Sequence, residues 1–142
     1  MRGTQRGSWA DDRGASAVEF ALVLPVFLVL LFGIIAYGIY FGAVHSTAQL
    51  AADAARASVA GISDAEREEI ARQHVLNNVP SYVMLQPGKI QIVAGRLEQD
   101  SRQFRVAVRY DAAELPIWNF TPFLPLPSKI IERTATIQRG GY

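Results

Sequence analysis

Polarity along the chain separates it into four stretches. Residues 1–19 are mixed and hold Arg2, Arg6 and Arg13. From Phe20 to Val44 (FALVLPVFLVLLFGIIAYGIYFGAV) come 25 uncharged, mostly apolar residues. As a helix they would reach roughly 37 Å, enough for a hydrocarbon core of about 30 Å with some tilt. A cleavable secretory signal has an apolar region of only about 7–15 residues, so the length favours a span or anchor. From His45 to Ala60 the chain is Ala-rich and helix-favouring. The pattern therefore predicts one long helix from near Ala15 to Gly61, with Gly61 as its stop. Pro25, one turn inside the apolar run, is expected to kink or locally break it. Tyr37 and Tyr40, toward its far end, suit an interfacial belt. The last four turns are expected to leave the membrane and pack on the soluble part.

The remainder alternates at shorter period. Ser63-Asp64-Ala65-Glu66 is a capping box that opens a second helix, and Val79-Pro80 closes it. Ile70, Ala71, His74, Val75 and Asn78 fall on one face, while Glu66, Arg67, Glu68, Glu69 and Arg72 are mostly solvated. In KIQIVAG, Ile90, Ile92 and Ala94 point one way. In QFRVAVRY, Phe104, Val106, Val108 and Tyr110 do the same, with Arg105 and Arg109 opposite. Glu98-Gln99-Asp100-Ser101 reads as the hairpin loop between them, and the β-branched KIIERTATIQR (Lys129 to Arg139) as a third strand. The predicted class is α+β: a long N-terminal transmembrane helix, a short helix, and a small three-stranded antiparallel sheet packed on the helix tail.

Leu115 to Pro127 fits none of these elements. Its four prolines preclude a regular helix or central strand, yet Ile117, Trp118, Phe120, Phe123, Leu124 and Leu126 are costly to leave in water. Two readings stand: an ordered crossover loop covering a sheet edge or the helix, or a contact surface for a neighbouring subunit or the outer leaflet through Trp118, Phe120 and Phe123.

Charge sharpens the membrane reading. Phe20 to Ala52 contains no Asp, Glu, Lys or Arg, so all 27 charged residues sit among the other 109. Lys and Arg number 14 against 13 Asp and Glu, a net charge of +1, too balanced to argue for nucleic acid or an acidic substrate. Arginines precede the run and the nearest charges after it are Asp53 and Arg56, which puts the N-terminus in the cytoplasm. The C-terminal part then lies across the inner membrane, in a bacterium the periplasm. The chain lacks Cys, which removes disulfides, zinc-thiolate sites and thiol nucleophiles.

No enzyme constellation emerges. His45 and His74 fall on different predicted helices without metal-site spacing. There is no phosphate-binding G-x-x-x-x-G-K, no dinucleotide glycine fingerprint and no G-x-S-x-G. Asp64, Glu66, Glu68 and Glu69 form the charged first turn of a helix. Catalytic residues, metal and cofactor are accordingly all expected to be none. Gly38-Ile-Tyr-Phe-Gly42 is a G-x-x-x-G followed by Ser46, Ala48, Ala51, Ala52 and Ala55; small residues at this spacing let helices approach closely in lipid.

The start of the apolar run carries the most specific pattern. In DDRGASAVEF, Gly14 follows a basic residue, four small or apolar residues intervene, and Glu19 and Phe20 stand before the run. A carboxylate there is costly unless paired or interfacial, although a first helical turn favours negative charge. This stretch resembles the processing site of type IV prepilins of the Flp/Tad subclass. The wider RGASAVEFALVLPVFLVLLFGIIAYG is similar to the TadE-like family of pseudopilins, a resemblance that reaches through HSTAQLAADAARASVAG to Gly61. It implies a pilin-like fold, cleavage between Gly14 and Ala15 by a membrane prepilin peptidase, and Glu19 as the fifth residue of the mature chain. Gly14 would let the backbone approach the peptidase carboxylates. Glu19 would pair with the freed α-ammonium of a neighbouring subunit and set the axial register. Gly38 and Gly42 would join it in subunit packing.

The implied division is a leader over 1–14, a membrane helix with its continuation over 15–61, and a periplasmic α+β domain over 62–142. The implied function is a minor pseudopilin, structural or assembly-related, in a Tad/Flp-type apparatus of adhesion or secretion. Its partners would be the prepilin peptidase, other pilins or pseudopilins, and membrane lipid, with no nucleic acid. The competing class is an uncleaved, signal-anchored periplasmic protein that binds another envelope partner.

Overall fold

The computed structural model describes residues 8–138, with side chains from Gly14 onward. Arg2, Arg6, Arg139 and the terminal Gly140–Tyr142 lie outside the described residues. The chain divides into two compact units, Met1–Ile35 and Ala36–Tyr142. Helix α1, Ser8–Ser58, contributes to both.

From Phe20 to Ile35 α1 is apolar on every side. Phe20, Val26, Leu30 and Ile34 are each at least 60% exposed, and Leu22, Val23, Phe27 and Phe32 are exposed as well. A helix with no polar face to turn toward water is suited to lipid. The break anticipated at Pro25 is absent, since α1 is helical through that residue. The ring removes one backbone donor, a defect that membrane helices tolerate.

In the second unit α1 changes role. Ala36, Tyr40, Ala43, Thr47, Leu50, Ala54 and Ser58 recur at three- and four-residue intervals and are all buried, which defines one stripe along the helix. The small Ala43, Ala51, Ala54 and Ala55 keep the stripe low, and it belongs to one hydrophobic cluster with the sheet. Its two hydroxyls are satisfied locally. Thr47 Oγ1 donates to Ala43 O at 2.8 Å and Ser58 Oγ to Ala55 O at 2.7 Å.

The helix ends at Ser58, and Gly61 does not act as expected. No glycine among the described residues has a positive φ. Tight turns close α1 instead, with Val59, Ala60 and Gly61 N–H groups donating three residues back to Arg56, Ala57 and Ser58 carbonyls. Gly61 is required by space. A Cβ there would stand 2.7 Å from Arg67 Cγ and 2.8 Å from Arg67 N.

Helix α2, Asp64–Asn78, starts as its sequence indicates. Ser63 Oγ accepts from Glu66 N at 3.2 Å, and Glu66 Oε2 accepts from Ile62 N at 2.9 Å, one residue earlier than in the standard capping box. Ala71 and Val75 are buried. Arg67, expected in solvent, is half-buried, and its Nε donates to Gly61 O at 2.9 Å.

The sheet comprises β1 (Ile90–Arg96), β2 (Gln103–Asp111) and β3 (Ile130–Gln138), antiparallel and in sequence order. Central β2 buries Phe104, Val106, Val108 and Tyr110 on the core face. Ile90 pairs with Tyr110 and Ile92 with Val108, so the alternating faces predicted from sequence coincide across the hairpin. On the outer face Arg109 opposes Glu132 in register and donates from Nε to its Oε2 at 2.5 Å. Arg96 Nε donates to Asp64 Oδ2 at 2.9 Å, tying β1 to the start of α2. The α+β class and all three strands stand as predicted.

Candidate functional site

The residues singled out at the start of the apolar run, Gly14, Ala15, Glu19 and Phe20, occupy consecutive exposed turns of α1 in the first unit. A Cβ at Gly14 would meet no atom within 4 Å.

The G-x-x-x-G pair lies in the second unit and splits. Gly38 is open, with nothing within 4 Å of an added Cβ. Gly42 is covered from within the chain, since a Cβ there would stand 3.3 Å from Met84 Cγ. Gly42→Ala is expected to change unfolding free energy by less than about 1 kcal/mol. The helix gains up to about 1 kcal/mol from losing a glycine, while the flexible thioether shifts by a few tenths of an ångström. Equilibrium denaturation in detergent checks this.

Met84 belongs to the short connection between α2 and β1, Tyr82 to Gln86, which carries Val83 almost fully in solvent and Leu85 in the core. Tyr82 Oη donates to Asp53 Oδ2 at 3.2 Å, and Arg56 pairs with the other oxygen of that carboxylate. The Arg56 guanidinium holds the Asp53 carboxyl below its ordinary value; burial opposes this and the Tyr82 hydroxyl adds to it. The loop is thus fastened to α1 by a polar contact at Asp53 and an apolar one at Gly42. This connection was missed in the sequence, where the apolar triplet Val83-Met84-Leu85 between a helix stop and a strand was its signal.

The Pro-rich stretch is ordered. Pro116–Phe120 forms a 3₁₀ turn with Ile117 fully buried. Trp118 is half-buried; its Nε1 donates to Ala112 O at 2.6 Å, and its ring meets Tyr40 edge-on at 6.4 Å. Lys129 Nζ stands 5.5 Å from the centre of the same ring, within cation–π range. Phe120 is half-buried and Phe123 is 65% exposed. The tyrosines expected in an interfacial belt turn onto this loop. Tyr40 Oη donates to Ser128 O at 2.9 Å and Tyr37 Oη to Pro125 O. A buried tyrosine needs a partner for its hydroxyl, and a Pro-rich segment outside the sheet ladder has carbonyls to offer. The crossover reading describes Ile117, Trp118, Phe120 and Leu126, and Phe123 is left facing outward.

Residues 14–56 match the family model of TadE-like proteins. The chain carries a TadE-like segment. That segment is a single element, since it lies wholly within α1 and stops two residues before the helix does. It takes in Gly14, Glu19, Gly38 and Gly42 and leaves out the sheet and the Pro-rich loop. A TadE-like segment links the chain to Tad pilus systems as a pilus-associated component, and the apolar helix at its centre is compatible with a single-pass membrane anchor. No curated protein and no solved structure matches the chain.

Proposed function

We propose that the protein is a minor pseudopilin of a Tad-type pilus or secretion apparatus, anchored in the inner membrane with its N-terminus cytoplasmic and its sheet domain periplasmic, and cut by a prepilin peptidase between Gly14 and Ala15. The observation that carries this reading is the coincidence at Gly14: the TadE-like match begins at the glycine that the processing pattern singles out. Arginines on the leader side and none across the apolar run support the orientation.

The local structure supports a role for glycine there. The Gly14–Ala15 bond lies in the helical stretch of α1, so a peptidase must unwind a turn to reach it. Glycine weakens that turn by about 1 kcal/mol relative to alanine. Cleavage leaves an α-ammonium on Ala15 at the membrane surface. Glu19, on an exposed turn one helical step away, is placed on this reading to meet the corresponding ammonium of a neighbouring subunit, with Gly38 offering that neighbour a close approach.

The test is the intact mass and N-terminal sequence of the protein extracted from its native membranes, beside Gly14→Arg. The expected result is a wild-type chain starting at Ala15 and a variant left uncut. Gly14 is exposed and a Cβ added there meets nothing within 4 Å, so loss of cleavage reports on the peptidase and not on folding. A wild-type chain that keeps Met1 or Arg2 overturns the processing and leaves an uncleaved anchored protein.

A further inference from the structure

We propose that the second unit is seated on the bilayer through an apolar collar, in which Phe123 of the Pro-rich loop, Val83 of the α2–β1 connection and Phe41 of α1 enter the lipid interface beside the helix. The inference rests on the membrane-anchor part of the function proposed above and is independent of processing.

The length of the helix supplies the first argument. Of the 25-residue apolar run, only Phe20–Ile35, 16 residues, belongs to the first unit. They span about 24 Å, short of a hydrocarbon core of about 30 Å. Tilt widens the shortfall. Extension on the leader side is blocked by the Glu19 carboxylate, which is costly in hydrocarbon. The missing length, about four residues at 1.5 Å each, must come from Ala36 onward, where α1 is already part of the second unit.

Three exposed side chains belong to segments tied to this stretch of α1. Phe123 is 65%, Val83 94% and Phe41 61% exposed. They come from segments far apart in sequence, yet all are fastened to the same stretch of α1. Tyr37 holds Pro125, two residues from Phe123. Tyr40 holds Ser128. Gly42 receives Met84, next to Val83.

The backbone of the Pro-rich loop is also prepared for scarce water. Pro122, Pro125 and Pro127 carry no N–H. Phe123 and Leu124 N–H groups both donate to Phe120 O, at 2.9 and 3.1 Å. The Pro125 and Ser128 carbonyls accept from the two tyrosines. A loop in bulk water gains little from such closure, whereas one entering the interface avoids a desolvation cost at each group. Trp118 with Lys129 above it completes the pattern, an indole near headgroup level and a long basic side chain able to reach phosphate.

The absence of cysteine makes a direct test available. Single substitutions Phe123→Cys and Val83→Cys are labelled with the environment-sensitive fluorophore NBD in the full chain, reconstituted in vesicles of phosphatidylcholine with a minority of phosphatidylglycerol. Phe27→Cys serves as the lipid control. Ile62→Cys, 89% exposed in the turn after α1, serves as the aqueous control. The helix end that precedes it, Ser58, lies about 30 Å further along the helix than Tyr37. Labels at 83 and 123 are expected to be quenched several-fold more by nitroxide-headgroup lipid than the label at 62, and less by iodide present on both sides. Iodide quenching at 83 and 123 equal to that at 62 overturns the proposal. Shielding from both quenchers, relieved on dilution with unlabelled lipid, overturns it in favour of contact with another subunit. A label at 27 that lipid fails to quench removes the anchor reading and the collar together, whereas quenching at 27 alone removes only the collar.

Discussion

Leu50→Ala is expected to destabilise the second unit by roughly 2–5 kcal/mol, while Leu30→Ala, on the same helix, leaves that unit's stability unchanged. The two leucines differ only in surroundings. Leu50 is fully buried in the stripe that joins the core cluster with Val106, Val108 and Tyr110, whereas Leu30 is 60% exposed. Truncation at position 50 removes apolar surface from the centre of a closed core and leaves a cavity lined by a rigid helix. Truncation at position 30 removes it from an exposed surface that, on the anchor reading, meets hydrocarbon. Denaturation in detergent, followed by Trp118 fluorescence in a Trp9→Phe background, measures the difference. Equal effects of the two variants would show that α1 is not part of the core beyond Ala36.

Gly61→Ala is the second large effect, a loss of about 1–3 kcal/mol or more, in the range of overpacked sites. The added methyl would lie 2.7 Å from Arg67 Cγ, 2.8 Å from Arg67 N and 3.1 Å from Arg67 Cα. The side-chain atom can swing aside, but the backbone atoms are fixed in the first turn of α2. The double variant Gly61→Ala/Arg67→Ala is therefore expected to remain destabilised. Full recovery in the double variant would place the clash in the side chain alone and refute the close-approach account.

These two positions show what the sequence could and could not reveal. Gly61 was legible as a necessary glycine after an Ala-rich helix, because glycine there usually relieves a left-handed residue. The actual reason, contact with a turn six residues later, depends on how α2 folds back and has no local signature. The Phe20–Val44 run was legible as apolar and helical. Its division at Ala36 was not, because composition does not distinguish lipid from a protein interior.

Strand alternation and the Ser63 cap were fully readable, since both are set by period and by one side-chain hydrogen bond. The links Tyr37–Pro125, Tyr82–Asp53 and Met84–Gly42 join residues 29 to 88 positions apart, beyond the reach of any periodicity. The pattern at Gly14 and Glu19 stands out in the sequence for a different reason, because the processing proposed for it would act on a short linear stretch of chain.

The buried stripe on α1 also constrains how the protein can be made. It lies on α1, which is synthesised before its partners on β2 and β3, some 50 residues or more further along the chain. The apolar row from Tyr40 to Ala54 must therefore wait uncovered until Ile131 has been synthesised and, on the proposed topology, translocated. A chain stalled or truncated before β3 keeps its apolar helix and an open core, which on the proposed topology would expose it to envelope proteases and chaperones. On that topology, quality control could act before assembly, on whether β3 has arrived.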